Sequence, residues 1–371
     1  MVEGRNFGLD LSRALAILAV IASHYANNSL NRLGFWGVEL FFSLSGFLIG
    51  NILWRSFSGS TDWNHVYLMN FWSRRWWRTL PNYYLFLGVA LFYSFLTEHT
   101  VVPMTTLVRY LFFGQFLVSK TSGFYELSWS LCVEEWFYLS FPLILVGIQI
   151  LKLSRKKTFF LAIITVFSVS FAVKLFLYHT NSEILQRQIT FSRLDAIGCG
   201  VLIAFLISAF PVRRQYLRPL FIAGLIFICA PLLSVFFNKI LFKFIWENFF
   251  CLTLVPFGFA LCLPYISKLE VINKIPGFVI SAIQKISLYS YSVYLSHVYI
   301  LFAIYYLFEK IRSGSPLGNL LSKIVALIAT FLVSYLIFRF IETPFTAMRP
   351  RELKSKVPVN LIPQSVDAVK A

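Results

Sequence analysis

The chain has 371 residues, 58% hydrophobic and only 13% charged, about half the charged fraction of an ordinary soluble domain. That composition excludes a water-soluble globular fold. A net charge of +17 would point a soluble protein toward nucleic acid. In a membrane chain, Lys- and Arg-rich loops facing anionic lipid account for it, so membrane lipids and no nucleic acid are the expected contacts.

Apolar runs of spanning length fall near 8–27, 35–54, 80–97, 129–151, 158–178, 191–210, 216–237, 246–266, 286–308 and 318–341. They predict an all-α, polytopic integral membrane protein with about ten transmembrane helices. The run 105–118 is too short to span and reads as interfacial or re-entrant. The longest polar pieces are 55–79 and 343–371, which divides the chain into a membrane domain over 1–342 and a cytoplasmic tail over 343–371. With alternate loops grouped, twenty Lys and Arg fall on one side of the membrane and nine on the other. The richer side is cytoplasmic by the positive-inside rule, which places both termini there. Cys132, Cys199, Cys229, Cys251 and Cys262 all lie in apolar runs without a CxxC pair, so neither a disulfide framework nor a metal site is expected. The first run carries Asp10 and Arg13 and lacks a cleavage signature, so it reads as a helix rather than a leader.

In that first run Arg13 and His24 close an otherwise apolar stretch. The eleven-residue step between them returns to within about 20° of one helix face and rises roughly 16 Å, half a bilayer core. Asp10 sits one turn earlier on nearly the same side. Ionisable groups inside a span are functional candidates. Arg13 snorkelling to the headgroups, with His24 in the far interface, would leave the same pattern.

In the second run Glu39, Ser43, Gly46 and Gly50 share one small, polar face. The glycines permit close helix approach, which does not explain a carboxylate. Glu39 falls at the same outer end as His24, where it would orient an imidazole. The segment Arg74-Arg-Trp-Trp-Arg78 precedes the third run on the cytoplasmic side. It either anchors the helix in the headgroups or captures a phosphate-bearing ligand. Trp129-Ser-Leu-Cys-Val-Glu-Glu-Trp-Phe-Tyr138 sets Glu134 and Glu135 about 100° apart, so one of them faces a site. An ion pair with Arg193 is the other reading of that pair. Arg193 and Asp195 lie at the outer end of the sixth run, and Tyr294-Leu-Ser-His297 places a lone imidazole near mid-depth in the ninth. His297 reads equally as a packed core histidine; His65, His99 and His179 carry no assignment.

Together these pieces resemble the membrane acyltransferase-3 family, which O-acylates carbohydrates and other extracytoplasmic acceptors. The matching residues are Leu9-Asp10 with Arg13 and His24, Gly37-Val-Glu-Leu-Phe-Phe-Ser-Leu-Ser-Gly-Phe-Leu-Ile49, Arg75 and Arg78 ahead of Pro81, Trp129 to Leu139, Arg193-Leu-Asp-Ala-Ile-Gly198, Tyr294 to His297, and Ile341-Glu-Thr-Pro344. The resemblance runs in order over essentially the whole chain. Glu39 stands for a usual Asp, Cys132 for a usual Ser, Trp136 for a usual Gln, and Leu11-Ser12 for the common Gly-Leu. The chain ends 29 residues after Glu342, so the form without a fused SGNH-type esterase domain, acting alone, is expected.

The resemblance implies acyl-CoA, most often acetyl-CoA, as co-substrate, with no bound cofactor. Arg13, Arg75 and Arg78 would hold its phosphates at a basic inner mouth. The acceptor would be a hydroxyl of an extracytoplasmic glycan such as O-antigen, exopolysaccharide or a lipid-linked sugar, at the bacterial plasma (inner) membrane. His24 would be the general base, with Glu39, Glu134 or Glu135 orienting it. Asp10, Trp129, Arg193, Asp195 and His297 complete the substrate-binding set. A proton- or solute-coupled transporter also uses intramembrane Arg, His and Glu, and it stands as the alternative. No internal repeat with paired broken helices is visible to support it.

Overall fold

In hydrocarbon the backbone has no water to bond, so each spanning segment must close its own hydrogen bonds. The structure, a computed structural model, describes residues 5–26, 30, 32–60, 63–98, 102–117, 125–179, 187–210, 212–236, 245–270, 275–309 and 315–353. Its α-helices are α1 (Phe7–Tyr25), α2 (Leu33–Ser58), α3 (His65–Glu98), α4 (Met104–Leu111), α5 (Trp129–Gln149), α6 (Arg155–His179), α7 (Leu194–Ala209), α8 (Leu217–Ile228), α9 (Cys251–Ile266), α10 (Gly277–Leu307), α11 (Pro316–Ile337) and α12 (Thr343–Ala347). Among the described residues no strand occurs, and nine helices are long and apolar enough to cross a bilayer. The protein is an all-α, polytopic membrane protein.

Three expected boundaries move, each for a local reason. The run 216–237 is not one continuous α-helix: α8 stops at Ile228 and a tighter helical stretch covers Ala230–Phe236. Pro231 has no N–H to donate and its ring crowds the preceding turn, so the α-helical ladder breaks there. Helix α3 begins at His65, so Arg74, Arg75 and Arg78 ride on a helix rather than in a loop. Its first turns bury Leu68 and Phe71, which secures that extension. Beyond α11 a wide helical turn (Phe338–Glu342) leads into α12. The segment after Glu342 then packs back on α3: Asn70 donates to the Arg351 carbonyl at 2.9 Å, Arg74 to the Pro350 carbonyl at 2.8 Å, and Glu352 lies 3.5 Å from Arg74. Residues 343–353 are thus part of the bundle. The rest of the expected tail, and His99, lie outside the described residues.

Packing follows membrane rather than water rules. Helix α11 buries Ser322, Ala326, Thr330 and Ser334, spaced four apart, and exposes Leu317, Leu320, Ile324, Ile328 and Leu332. With lipid as apolar as leucine, the small and hydroxyl-bearing face turns inward, where backbones approach and hydroxyls find partners. Ser334 pairs with Ser296 at 3.0 Å, and Thr330 with the Tyr25 hydroxyl at 2.8 Å.

Helices α2 and α7 meet in close backbone contact. A Cβ on Gly46 would lie 2.0 Å from the Ile197 carbonyl oxygen, and one on Gly200 would lie 2.2 Å from that of Ser43. A methyl group there must push two backbones apart, at a cost of about 1–3 kcal/mol. Gly88 has nothing within 4 Å of an added Cβ. Gly46→Ala is expected to lower the thermal unfolding temperature in detergent, and Gly88→Ala to leave it level or raise it. Equal tolerance of the two would contradict this packing.

Candidate active site

A cavity of about 230 Å³ opens among α1, α2, α3, α5, α10 and the α11–α12 segment. Arg5, Arg13, Arg75, Arg78 and Arg349 line it, against the carboxylates Asp10, Glu134 and Glu342, so cations outnumber anions. Most of these charges are already engaged. Asp10 is ion-paired with Arg5, accepts from Ser287 at 2.7 Å and lies 4.0 Å from Arg13. Glu342 accepts from Ser292 at 2.8 Å and from Asn82 at 3.2 Å. Glu134 accepts from the Tyr138 hydroxyl at 3.0 Å. Among the described residues neither Arg75 nor Arg78 has a carboxylate within ion-pair distance. The Arg75 guanidinium instead lies 5.1 Å over the Tyr138 ring. A pair of such forks, in a partly dry cavity, suits a phosphate-bearing ligand.

At the far end the cavity is walled by Ser130 and Tyr294. Their hydroxyls pair at 2.6 Å, and the Tyr294 ring stands 6.0 Å from that of His297. Behind it, two imidazoles meet. His297 Nε2 is 3.3 Å from His24 Nδ1, the rings edge to face with centroids 4.9 Å apart. His297 is fully buried, whereas His24 is exposed.

The surroundings fix the protons. His297 Nδ1 lies 2.8 Å from the Tyr294 carbonyl and 3.1 Å from that of Val293. Carbonyls only accept, so this nitrogen carries the proton and Nε2 presents a lone pair. His24 Nδ1 faces that lone pair and the Val20 carbonyl at 2.9 Å, so it too is protonated. The exposed Nε2 of His24 is left as an acceptor, the state required of a general base. The Tyr25 hydroxyl donates to the His297 carbonyl at 3.0 Å and braces α1 against α10 at this level.

The carboxylates expected to orient His24 lie elsewhere. Glu39 is fully buried and ion-paired with Arg193, which also donates to the Leu252 carbonyl at 2.5 Å. Asp195, expected to bind substrate with Arg193, accepts from Lys174 and Thr253, each at 2.5 Å. A lone charge here would remain in low dielectric, and these pairs neutralise one another instead. Of the adjacent pair, Glu134 lines the cavity, while Glu135 accepts from Thr79 at 2.8 Å on α3. The partner of His24 is His297. Trp129 packs edge-on against Phe42, 5.8 Å between centroids, and beneath the Arg187 guanidinium at 5.3 Å.

Sequence reasoning missed Lys174 and Arg187. Lys174 lies inside the run 158–178, about one turn from its end, a signal that could have marked it as an intramembrane ion-pair partner. Arg187 reads in the sequence as one more loop charge. Burial pulls its pKa below the ordinary arginine value, and the Glu39 carboxylate pushes it back up.

The Glu39–Arg193 pair gives a test that separates support from chemistry. Glu39→Leu or Arg193→Leu alone strands a buried charge and is expected to cost about 3–5 kcal/mol of stability, whereas the double substitution recovers most of it. Thermal unfolding of the three variants decides. Single variants as stable as wild type, but impaired in activity, would return the pair to the chemistry.

A family described as Acyltransferase domain matches residues 6–339. A protein provisionally named O-acetyltransferase in Staphylococcus aureus (strain COL) is 30% identical over 56% of this chain and 36% of its own length. The peptidoglycan O-acetyltransferase of Listeria monocytogenes serovar 1/2a is 27% identical over 91% of this chain and 55% of its own. A provisionally named peptidoglycan O-acetyltransferase of Bacillus subtilis (strain 168) is 35% identical over 39% of this chain and 24% of its own. The chain thus spans about half or less of the length of these relatives. No solved structure matches it at a significant level.

Proposed function

The chain belongs to the acyltransferase-3 family, and from that premise we propose that it moves an acetyl group from cytoplasmic acetyl-CoA to a hydroxyl of a glycan on the opposite face of a bacterial plasma membrane. Family membership makes it an acyltransferase and decides against the transporter reading. The observation that carries the finer proposal is the order of groups along one path. Arg75 and Arg78, with no carboxylate at ion-pair distance among the described residues, line the cavity, Tyr294 and Ser130 wall its far end, and the His24–His297 pair stands behind them. The names of the relatives favour a cell-wall glycan such as peptidoglycan as acceptor.

In this reading Arg75 and Arg78, with Arg13, hold the phosphates of the donor, and the pantetheine arm runs toward Tyr294. A sugar hydroxyl is a weak nucleophile while protonated. His24 Nε2 takes the hydroxyl proton as the sugar oxygen bonds to the thioester carbonyl carbon. The tetrahedral adduct then collapses, the C–S bond breaks, and the proton returns from His24 to the CoA thiolate. His297 accepts from His24 Nδ1–H, which holds the ring in the required tautomer and shares the charge of the imidazolium.

The test measures acetylated glycan per unit of membrane enzyme with acetyl-CoA as donor. His24→Ala and His24→Gln are expected to abolish transfer with normal expression, because an amide cannot accept the proton. His297→Ala is expected to lower kcat by a smaller factor. Arg75→Lys and Arg78→Lys keep the charge but lose the fork, and are expected to raise KM for acetyl-CoA by about 10–150-fold, equivalent to about 1.5–3 kcal/mol. Full activity in His24→Ala, or an unchanged KM in both arginine variants, would overturn the assignment.

A further inference from the structure

A cation held away from water is normally matched by a carboxylate, and this protein follows that rule almost throughout. Arg5 pairs with Asp10, Lys174 with Asp195, Arg193 with Glu39, and Arg74 with Glu352. Among the described residues, Arg75 and Arg78, which face the cavity proposed for the donor phosphates, and Arg187 have no carboxylate within ion-pair distance.

Arg187 lies at the other end of the molecule. Among the described residues its one hydrogen bond runs from Nη2 to the Gly34 carbonyl, at 3.3 Å, and its buried Nε has no partner. The guanidinium lies against two aromatic rings, 5.1 Å from the centroid of Phe35 and 5.3 Å from that of Trp129. Such rings fix the plane of the fork without satisfying its N–H groups. Gly34 in turn abuts the histidine helix: a Cβ on Gly34 would lie 2.5 Å from Ser23 Oγ, and Ser23 Oγ lies 3.3 Å from His24 Nδ1. Glu39, the carboxylate that acts on Arg187, is itself ion-paired with Arg193, so among the described residues this oriented cation beside the exposed base has no carboxylate in contact.

We propose that Arg187 is the acceptor-recognition residue, and that its guanidinium holds a carboxylate borne by the glycan, a few bonds from the hydroxyl that His24 deprotonates. This rests on the reading of a glycan acceptor at the His24 end. The Ser23–Gly34 layer stands between the guanidinium and the His24 ring. That separation suits a fixed anion on the substrate rather than the reacting carbonyl, which must touch the attacking oxygen. A permanent carboxylate also offers the direct contact that Glu39, held by Arg193, does not make, in the bidentate geometry arginine favours.

The enzyme in proteoliposomes with acetyl-CoA is offered three probes: an alternating N-acetylglucosamine/N-acetylmuramic acid tetrasaccharide with free lactyl carboxylates, its methyl ester, and neutral chitotetraose. Wild type is expected to favour the free acid over the ester by about tenfold or more in kcat/KM, the scale of one charge-assisted contact. Arg187→Gln is expected to bring that ratio close to one, the loss falling on KM for the free acid, and Arg187→Lys to recover part of it. The wild-type comparison stands even where a variant fails to fold. A wild type that does not distinguish acid from ester, or an Arg187→Gln variant that loses both equally, would overturn the role of Arg187 and leave the glycan reading intact. Transfer to none of the three probes would overturn the glycan reading itself and this inference with it.

Discussion

Moving a guanidinium or carboxylate from water into hydrocarbon costs several kcal/mol, and a counter-charge with good hydrogen bonds is what makes it tolerable. That constraint organises the whole bundle. The Glu39–Arg193 and Lys174–Asp195 pairs join α2, α6, α7 and the turn before it, and Thr253 adds α9. These pairs are scaffolding, since each member is neutralised by a neighbour and neither pair lines the cavity. The ligand-binding roles proposed above fall on charges that this scaffold does not pair among the described residues: Arg75 and Arg78 at one end, Arg187 at the other.

The second constraint is backbone proximity. Gly46 against Ile197 and Gly200 against Ser43 bring α2 and α7 into near contact. On α11 the inward row of Ser322, Ala326, Thr330 and Ser334 does similar work. Thr330 meets the Tyr25 hydroxyl, and Tyr25 reaches the carbonyl of His297. The small-residue packing of an outer helix thus reaches the histidine pair through one tyrosine. Helix α1 carries Asp10 and Arg13 at one end and His24 at the other, so a single rigid rod spaces the proposed donor grip from the base.

Much of this was legible in the residues. The eleven-residue step from Arg13 to His24 placed both on one face of α1, and the Gly46–Gly50 spacing located a close helix contact that α7 fills. The pairing of helices was not legible, because it joins positions far apart in the chain. His24 and His297 are 273 residues apart, and Glu39 and Arg193 are 154 apart. Proximity in depth suggested Glu39 as the partner of His24, yet depth says nothing of azimuth around the bundle. Arg187 was invisible for another reason: a loop arginine and one held against aromatic rings look the same in sequence.

The central claim is that the two ends of one path face opposite sides of the membrane. The direct test uses proteoliposomes of known orientation, with acetyl-CoA confined to one side and a membrane-impermeant glycan to the other. Acetylated glycan is expected only when acetyl-CoA faces the Arg75–Arg78 end and the glycan faces His24. Transfer with the two sides exchanged, or with donor and acceptor confined together on either side, would contradict the account.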